Sequence, residues 1–153
     1  MTLKNILDRL SVIDGQAQTL MRDIGLKDDD YEPWANVIPD SSDPDELFLY
    51  NELRDLMSLF CRIHRELIYL DLPCGDTHVL RLFPNGRYGY QDLPFDNERT
   101  FSCGAPVEAL IDDDNGNPCW VSSRIEHDGN DYYLYGYRNI ALNGLMIRER
   151  RPA

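Results

Sequence analysis

Apolar residues recur along the first quarter of the chain at steps of three and four. Leu3, Ile6, Leu7, Leu10, Ile13, Ala17, Leu20, Met21 and Ile24 form one stripe, the spacing of an amphipathic helix. The pattern predicts helix one over Leu3–Ile24, capped by the Thr2 hydroxyl and stopped by Gly25. Gly15 is a weak point inside it. A second stripe, Leu47, Tyr50, Leu53, Leu56, Met57, Phe60, Ile63, His64, Leu67 and Ile68, predicts helix two over Pro44–Leu70. Asp43 is its cap, Pro44 suits its first turn, and Pro73 and Gly75 lie beyond its end. Two such helices are expected to pack as an antiparallel hairpin, each burying the other's stripe.

After residue 76 the period changes to two. His78–Phe83 and Arg87–Tyr90 flank Pro84-Asn85-Gly86, and Asn-Gly is a strong hairpin signal. Further strands are expected near Thr100–Cys103, Val107–Ile111, Trp120–Glu126, Tyr132–Tyr137 and Leu145–Arg148. The turns between them are Asp112–Pro118 and His127–Asn130. Many short strands with close turns suggest a small antiparallel barrel or curved sheet. The expected fold class is therefore α+β. Residues 1–76 form a helical hairpin with an acidic connecting loop, and residues 77–153 a small antiparallel β domain.

Charge sharpens this division. The chain of 153 residues carries 27 Asp and Glu against 15 Lys and Arg, a net charge of −12. The first 76 residues hold 7 basic and 16 acidic side chains, net −9, and the rest hold 8 and 11, net −3. The connection Lys27–Glu46 has one lysine against eight acids: Asp28, Asp29, Asp30, Glu32, Asp40, Asp43, Asp45 and Glu46. Such a balance repels nucleic acid overall. No apolar run reaches the roughly 18–20 residues that span a bilayer, and the start does not read as a signal peptide, so a cytosolic protein is expected.

Catalytic signatures are missing. There is no phosphate loop, no Gly-x-Ser-x-Gly elbow and no His-Glu-x-x-His motif. Cys61, Cys74, Cys103 and Cys119 contain no Cys-x-x-Cys pair, so they read as reduced thiols rather than a zinc site or a disulfide framework. Nothing supports a pairing of Cys103 with His127. The acidic run at Asp112 fails the calcium-loop pattern in both registers, with Gly116 or Pro118 where ligands or the turn glycine belong, and reads as a hairpin turn. No cofactor, no metal and no enzymatic activity are expected.

Two features remain as candidates for function. In the acidic connection, rows of carboxylates present charge as a phosphate backbone does and steer a basic partner. Trp34 and Tyr31 would supply an apolar anchor. The partner-binding set is then Asp28, Asp29, Asp30, Glu32, Trp34, Asp40, Asp43, Asp45 and Glu46. The other candidate is the run Tyr132, Tyr133, Tyr135 and Tyr137. Period two puts Tyr133, Tyr135 and Tyr137 on one strand face, suited to stacking on single-stranded bases, with Arg124, Arg138 and Arg148 nearby. The basic end Arg148–Arg151 reads as a solvated terminus that pairs with the acidic surface.

The second half also resembles a known kind of domain. Arg87-Tyr88-Gly89-Tyr90, Ser102-Cys103-Gly104, Pro106-Val107-Glu108, Trp120, Arg124-Ile125-Glu126, Tyr132-Tyr133-Leu134 and Leu142-Asn143-Gly144-Leu145 carry the resemblance, over about residues 80–150. It is similar to a small uncharacterised domain family of mobile elements and phages of Gram-positive gut bacteria. That family has no activity to transfer, and the Asp112–Pro118 turn is longer than expected of it. The resemblance implies a mobile-element context, in which small acidic proteins without catalytic motifs look like inhibitors of host defence such as anti-CRISPR proteins. The expected partner is a basic protein, foremost a Cas9–guide complex with its strongly positive channel, met in the host bacterial cytoplasm without nucleic acid or membrane contact. The alternative is a nucleic-acid accessory module that uses the tyrosine strand.

Overall fold

A computed structural model describes residues 1–27, 33–92 and 97–151. The chain forms two compact units, Met1–Asp71 and Leu72–Ala153. The fold is α+β: two helices, then a curled antiparallel sheet that makes a half-barrel. No helix among the described residues is long and apolar enough to cross a membrane.

In the first unit, α1 spans Leu3–Ile24 and α2 spans Pro44–Asp71. The Thr2 hydroxyl accepts the Asn5 N–H at 3.2 Å, which satisfies one orphan donor of the first turn. Gly25 closes the helix with φ 73°. Its N–H reaches the Arg22 carbonyl at 3.1 Å and the Leu26 N–H reaches the Met21 carbonyl at 2.9 Å, the paired bonds of a Schellman cap. The chain then folds back, so that the Asn36 N–H bonds the Ile24 carbonyl at 3.1 Å. Asp43 caps α2 by accepting from the N–H groups of Asp45 at 2.9 Å and Glu46 at 3.4 Å.

The helices do run antiparallel, with Asp14 meeting His64 at 2.8 Å and Met21 meeting Cys61 at 3.9 Å. The expectation that each buries the other's stripe does not hold. The buried core of this unit is Ala17, Met21, Trp34 and Met57 among the described residues, and five of the nine stripe positions on α1 and four of the ten on α2 stay exposed. A stripe at least 100° wide is too broad for one neighbouring helix to cover. The two helices touch only along one edge of it.

In the second unit the strands are β1 (His78–Val79), β2 (Arg81–Leu82), β3 (Tyr88–Asp92), β4 (Asn97–Thr100), β5 (Ala105–Asp112), β6 (Pro118–His127), β7 (Tyr132–Leu134) and β8 (Met146–Arg148). They form a five-stranded sheet of order β1-β8-β5-β6-β7 and a three-stranded sheet of order β2-β3-β4. All pairings are antiparallel. The expected strand His78–Phe83 changes sheets at Leu80. Its N–H bonds the Leu145 carbonyl at 2.9 Å, and its carbonyl takes the Gly144 N–H at 2.8 Å.

Leu80, Val107, Ile125, Leu134 and Ile147 are the most deeply buried side chains of the second core. Alternation along the strands puts Val107, Ala109, Ile125, Leu134 and Ile147 on its inner face. Glu108, Trp120, Arg124, Glu126, Tyr133 and Arg148 fall on the outer one. All three turns read from the sequence are present. Gly86 and Gly116 take φ 76° and 78°, conformations that disfavour any residue with a Cβ.

Candidate functional site

Asp28, Asp29, Asp30 and Glu32 lie outside the described residues, as does Tyr31. The remaining predicted acids gather at the head of α2. Asp40, Asp43, Asp45 and Glu46 are all exposed there. Asp40 accepts from the Ser42 hydroxyl at 2.7 Å and the Ser42 N–H at 2.8 Å, and these bonds hold its carboxyl below the ordinary value. Asp43 is occupied by the helix cap. Both carboxylates are thus fixed by neutral donors, which orient them without cancelling their charge. The positive end of the α2 dipole favours acids in the first turn.

Trp34 is corrected from the anchor expected of it. It is 6% exposed and belongs to the core of the helical unit. Its ring meets Tyr50 edge-on at 5.0 Å, and its backbone N–H donates to the Tyr50 hydroxyl at 3.2 Å. An interface anchor must have apolar area to give to a partner, and Trp34 has given its area to its own core.

The tyrosine run is also rearranged. β7 ends at Leu134, and Gly136 at φ 79° turns the chain. Tyr133, Tyr135 and Tyr137 therefore do not share one strand face. Tyr137 packs against the β core, while Tyr133 and Tyr135 face outward under arginines. The Arg138 guanidinium lies 4.0 Å from the Tyr133 ring and that of Arg124 3.7 Å from Tyr135. On the same sheet, Arg148 lies 4.3 Å from the Trp120 ring. These cation–π stacks were not legible in the sequence, because partners five, eleven and twenty-eight residues apart meet only once the register is known.

Each stacked arginine is also ion-paired. Arg124 bonds Glu126, Arg138 bonds Asp128 at 3.1 Å, and Arg148 bonds Glu108 at 2.5 Å. Glu108 takes a second arginine, Arg150, at 2.6 Å. Burial pushes the Glu108 carboxyl up, but its bonds from Arg150 and Arg148 outweigh this and hold it below the ordinary value.

The basic end does pair with acids, but it is built into the sheet and is not a solvated tail. Glu149 receives two bonds from Arg99, at 2.8 and 2.7 Å, one from the Tyr90 hydroxyl at 2.9 Å, and one from Arg151. Its N-terminal neighbours join in, since the Gly75 N–H donates to the Glu149 carbonyl at 2.8 Å.

Beside this network lies a cleft of about 200 Å³ lined by Gly75, Asp76, His78, Tyr90, Asp92, Glu149 and Arg151. His78 stacks on Tyr90 with ring centroids 3.7 Å apart. Burial and the Glu149 carboxylate push the Tyr90 hydroxyl up, so it stays a proton donor. Glu149 is already served by several donors, and the cleft is a satisfied network rather than a poised acid–base pair. Cys103 and His127 do not pair. The Cys103 thiol lies 2.9 Å from Glu126, while His127 meets Tyr132 edge-on and accepts the Gly129 N–H at 3.1 Å. All four cysteines are free. Among the described residues no group of three or more His, Cys, Asp or Glu is placed to hold a metal ion.

Residues 80–148 match the model of a family described as a domain of unknown function, DUF5348. The match covers most of the β unit, close to the span assigned to an uncharacterised family from the sequence, and it brings no activity with it. No curated protein and no solved structure matches the chain.

Proposed function

We propose that the chain is a stoichiometric protein-binding inhibitor of host defence. It would act by presenting fixed carboxylates to a basic nucleic-acid-binding surface, foremost that of a Cas9-type guide complex. The observation that carries this reading is how the two units treat their charge. In the β unit Arg99, Arg124, Arg138, Arg148, Arg150 and Arg151 are drawn into ion pairs. At the head of α2, Asp40 and Asp43 are held by hydroxyl and backbone N–H groups, with Asp45 and Glu46 exposed beside them. Their charge stays available to a partner. The choice of a Cas9-type partner rests on the mobile-element resemblance and on the positive channel of such effectors.

The test is a DNA-cleavage titration with purified Cas9–guide complex at low and high salt. Wild-type protein should abolish cleavage near one equivalent. The variant Asp40→Asn, Asp43→Asn, Asp45→Asn, Glu46→Gln keeps the capping oxygens and removes four charges. It should need on the order of tenfold more protein at low salt, with the gap closing as salt screens the field. Equal inhibition by both proteins removes the α2 head from the mechanism, and no inhibition by wild type refutes the Cas9 reading.

A second reading is favoured by the open depression of about 480 Å³ lined by Tyr133, Tyr135, Gly136 and Arg138. It makes the β unit a nucleic-acid accessory module. Single-stranded oligonucleotides should then bind, with Tyr135→Ala weakening them several-fold. An unchanged anisotropy signal with every oligonucleotide rules it out.

A further inference from the structure

The two helices share an unbroken heptad pattern that their own contact uses only in part. In α1, Leu3, Ile6, Leu10, Ile13, Ala17, Leu20 and Ile24 alternate in steps of three and four. In α2, Leu49, Leu53, Leu56, Phe60, Ile63, Leu67 and Leu70 do the same. All fourteen positions are apolar. These are the a and d rows of a coiled-coil-like helix. Contact within the hairpin centres on the neighbouring e rows, Asp14 and Met21 on α1 and Tyr50, Met57 and His64 on α2, and takes in only Ala17, Ile24 and Phe60 of the a/d rows among the described residues.

Residue order around a helix reverses in hand between antiparallel neighbours. With both e rows facing inward, the two a/d rows therefore come to the same side of the hairpin. The result is one apolar face, two helices wide. The opposite side is different in kind, a groove lined in part by Arg22, His64 and Arg65.

Ten of its fourteen positions are exposed among the described residues. Leu3, Ile6, Leu10, Ile13, Leu20, Leu49, Leu53, Leu56, Ile63 and Leu70 are between 37% and 86% exposed. Together they offer on the order of 900 Å² per copy, against about 800 Å² per partner in a standard stable interface. Among the described residues the hairpin's fully buried core is Ala17, Met21, Trp34 and Met57, flanked by half-buried side chains such as Tyr50 and Phe60, small for helices of 22 and 28 residues.

We propose that this face packs against the same face of a second copy of the chain, closing a four-helix bundle. A bundle needs four helices, and one chain supplies two with matching repeats. A two-fold dimer is the commonest way for one self-complementary patch to be buried. The a/d rows carry no charge, so the acids of the two copies stay at the edges of the bundle and do not enter its core.

The test is the mass of the full chain by sedimentation equilibrium over a hundredfold range of concentration. The expected mass is twice the 17.8 kDa of one chain. The double variant Ile13→Lys, Leu56→Lys should raise the dissociation constant at least a hundredfold. A second measurement, independent of whether that variant folds, uses the otherwise unaltered protein. A benzophenone amino acid at Leu10 should photo-crosslink two copies, and one at Asp8, on the outer side of α1, should not. A 17.8 kDa mass at every concentration overturns the proposal. So does a dimer that survives the lysine variant, or crosslinking from Asp8 in preference to Leu10.

Discussion

Replacing Glu108 with glutamine tests how the β unit is held. Glu108 is 5% exposed and sits in the middle of β5 on the outer face of the sheet. It accepts from Arg148 Nε at 2.5 Å and Arg150 Nε at 2.6 Å. Neither cation is free to leave. Arg148 is stacked on Trp120, and Arg150 also donates to the Leu72 carbonyl at 3.0 Å. Glutamine keeps the shape, removes the charge and leaves two guanidinium groups facing each other. Breaking a buried pair costs about 3–5 kcal/mol. The arginine side chains keep 23% and 15% exposure, which lets water share the load, so the low end applies, about 3 kcal/mol. For a unit of this size that is a fall in Tm of at least about 10 °C.

The sign in pH follows from the carboxyl being lowered in the folded state. Its contribution is fully present above the unfolded value near 4.3 and is lost as pH falls through the folded one. Glu108→Gln should therefore be less stable than wild type at neutral pH, with the difference shrinking in acid. Glu149 is pushed up by burial and brought down further by Arg99, Arg151 and Tyr90, so part of the acid sensitivity remains. Thermal melts by circular dichroism from pH 7 to 3 would measure this. A Tm within about 2 °C of wild type at pH 7, or a difference that grows in acid, refutes the reasoning.

Three further substitutions probe separate parts of the chain. Gly89→Ala would place a Cβ 2.1 Å from the Arg99 carbonyl oxygen and 2.8 Å from the Thr100 Cα; forcing β3 from β4 should cost about 3 kcal/mol, and a loss under about 1 kcal/mol in urea titration would show that the strands do not lie this close. Trp34→Ala empties the largest side chain from the helical core and should destabilise that unit by about 3–4 kcal/mol, read as lost helical signal on heating; unchanged melting would return Trp34 to the surface. Asp43→Ala removes the α2 cap and should cost about 1 kcal/mol while Asp43→Asn costs almost nothing, so equal losses in the two variants would deny the cap.

Local chemistry was the legible part of this sequence. Thr2, Gly25, Asp43 and the Asn85-Gly86 turn act through neighbours in the chain, and α1 ends where the sequence places it, with α2 one residue longer. What failed depends on contacts distant in sequence. Periodicity identified each helical stripe but not how many helices share it, so mutual burial was the wrong inference. Trp34 looked like a surface anchor because its neighbours are acidic, while the side chains that bury it, Met21 and Met57, lie thirteen residues before and twenty-three after. β7 stopped early because Gly136 takes a positive φ that no alternation of tyrosines reveals. Glu108 and Glu149, the hubs of the β unit, each meet arginines that the register brings from about forty or fifty residues away.

Charge and apolar area make opposite demands on salt, and this separates the two proposed surfaces. Two copies that each carry −12 repel one another, so a dimer joined through uncharged a/d rows should tighten as the Debye length shrinks from about 10 Å at 0.1 M to about 3 Å at 1 M. Binding of the carboxylates at the α2 head to a cationic partner should weaken over the same range. Following mass and inhibition together from about 50 to 500 mM salt should show the dimer persisting while inhibition falls. If the dimer dissociates with added salt, charged groups hold it, and the apolar face is not its interface. If inhibition strengthens with salt instead, the partner is bound through apolar area, and the helical face rather than the acidic head is where it docks.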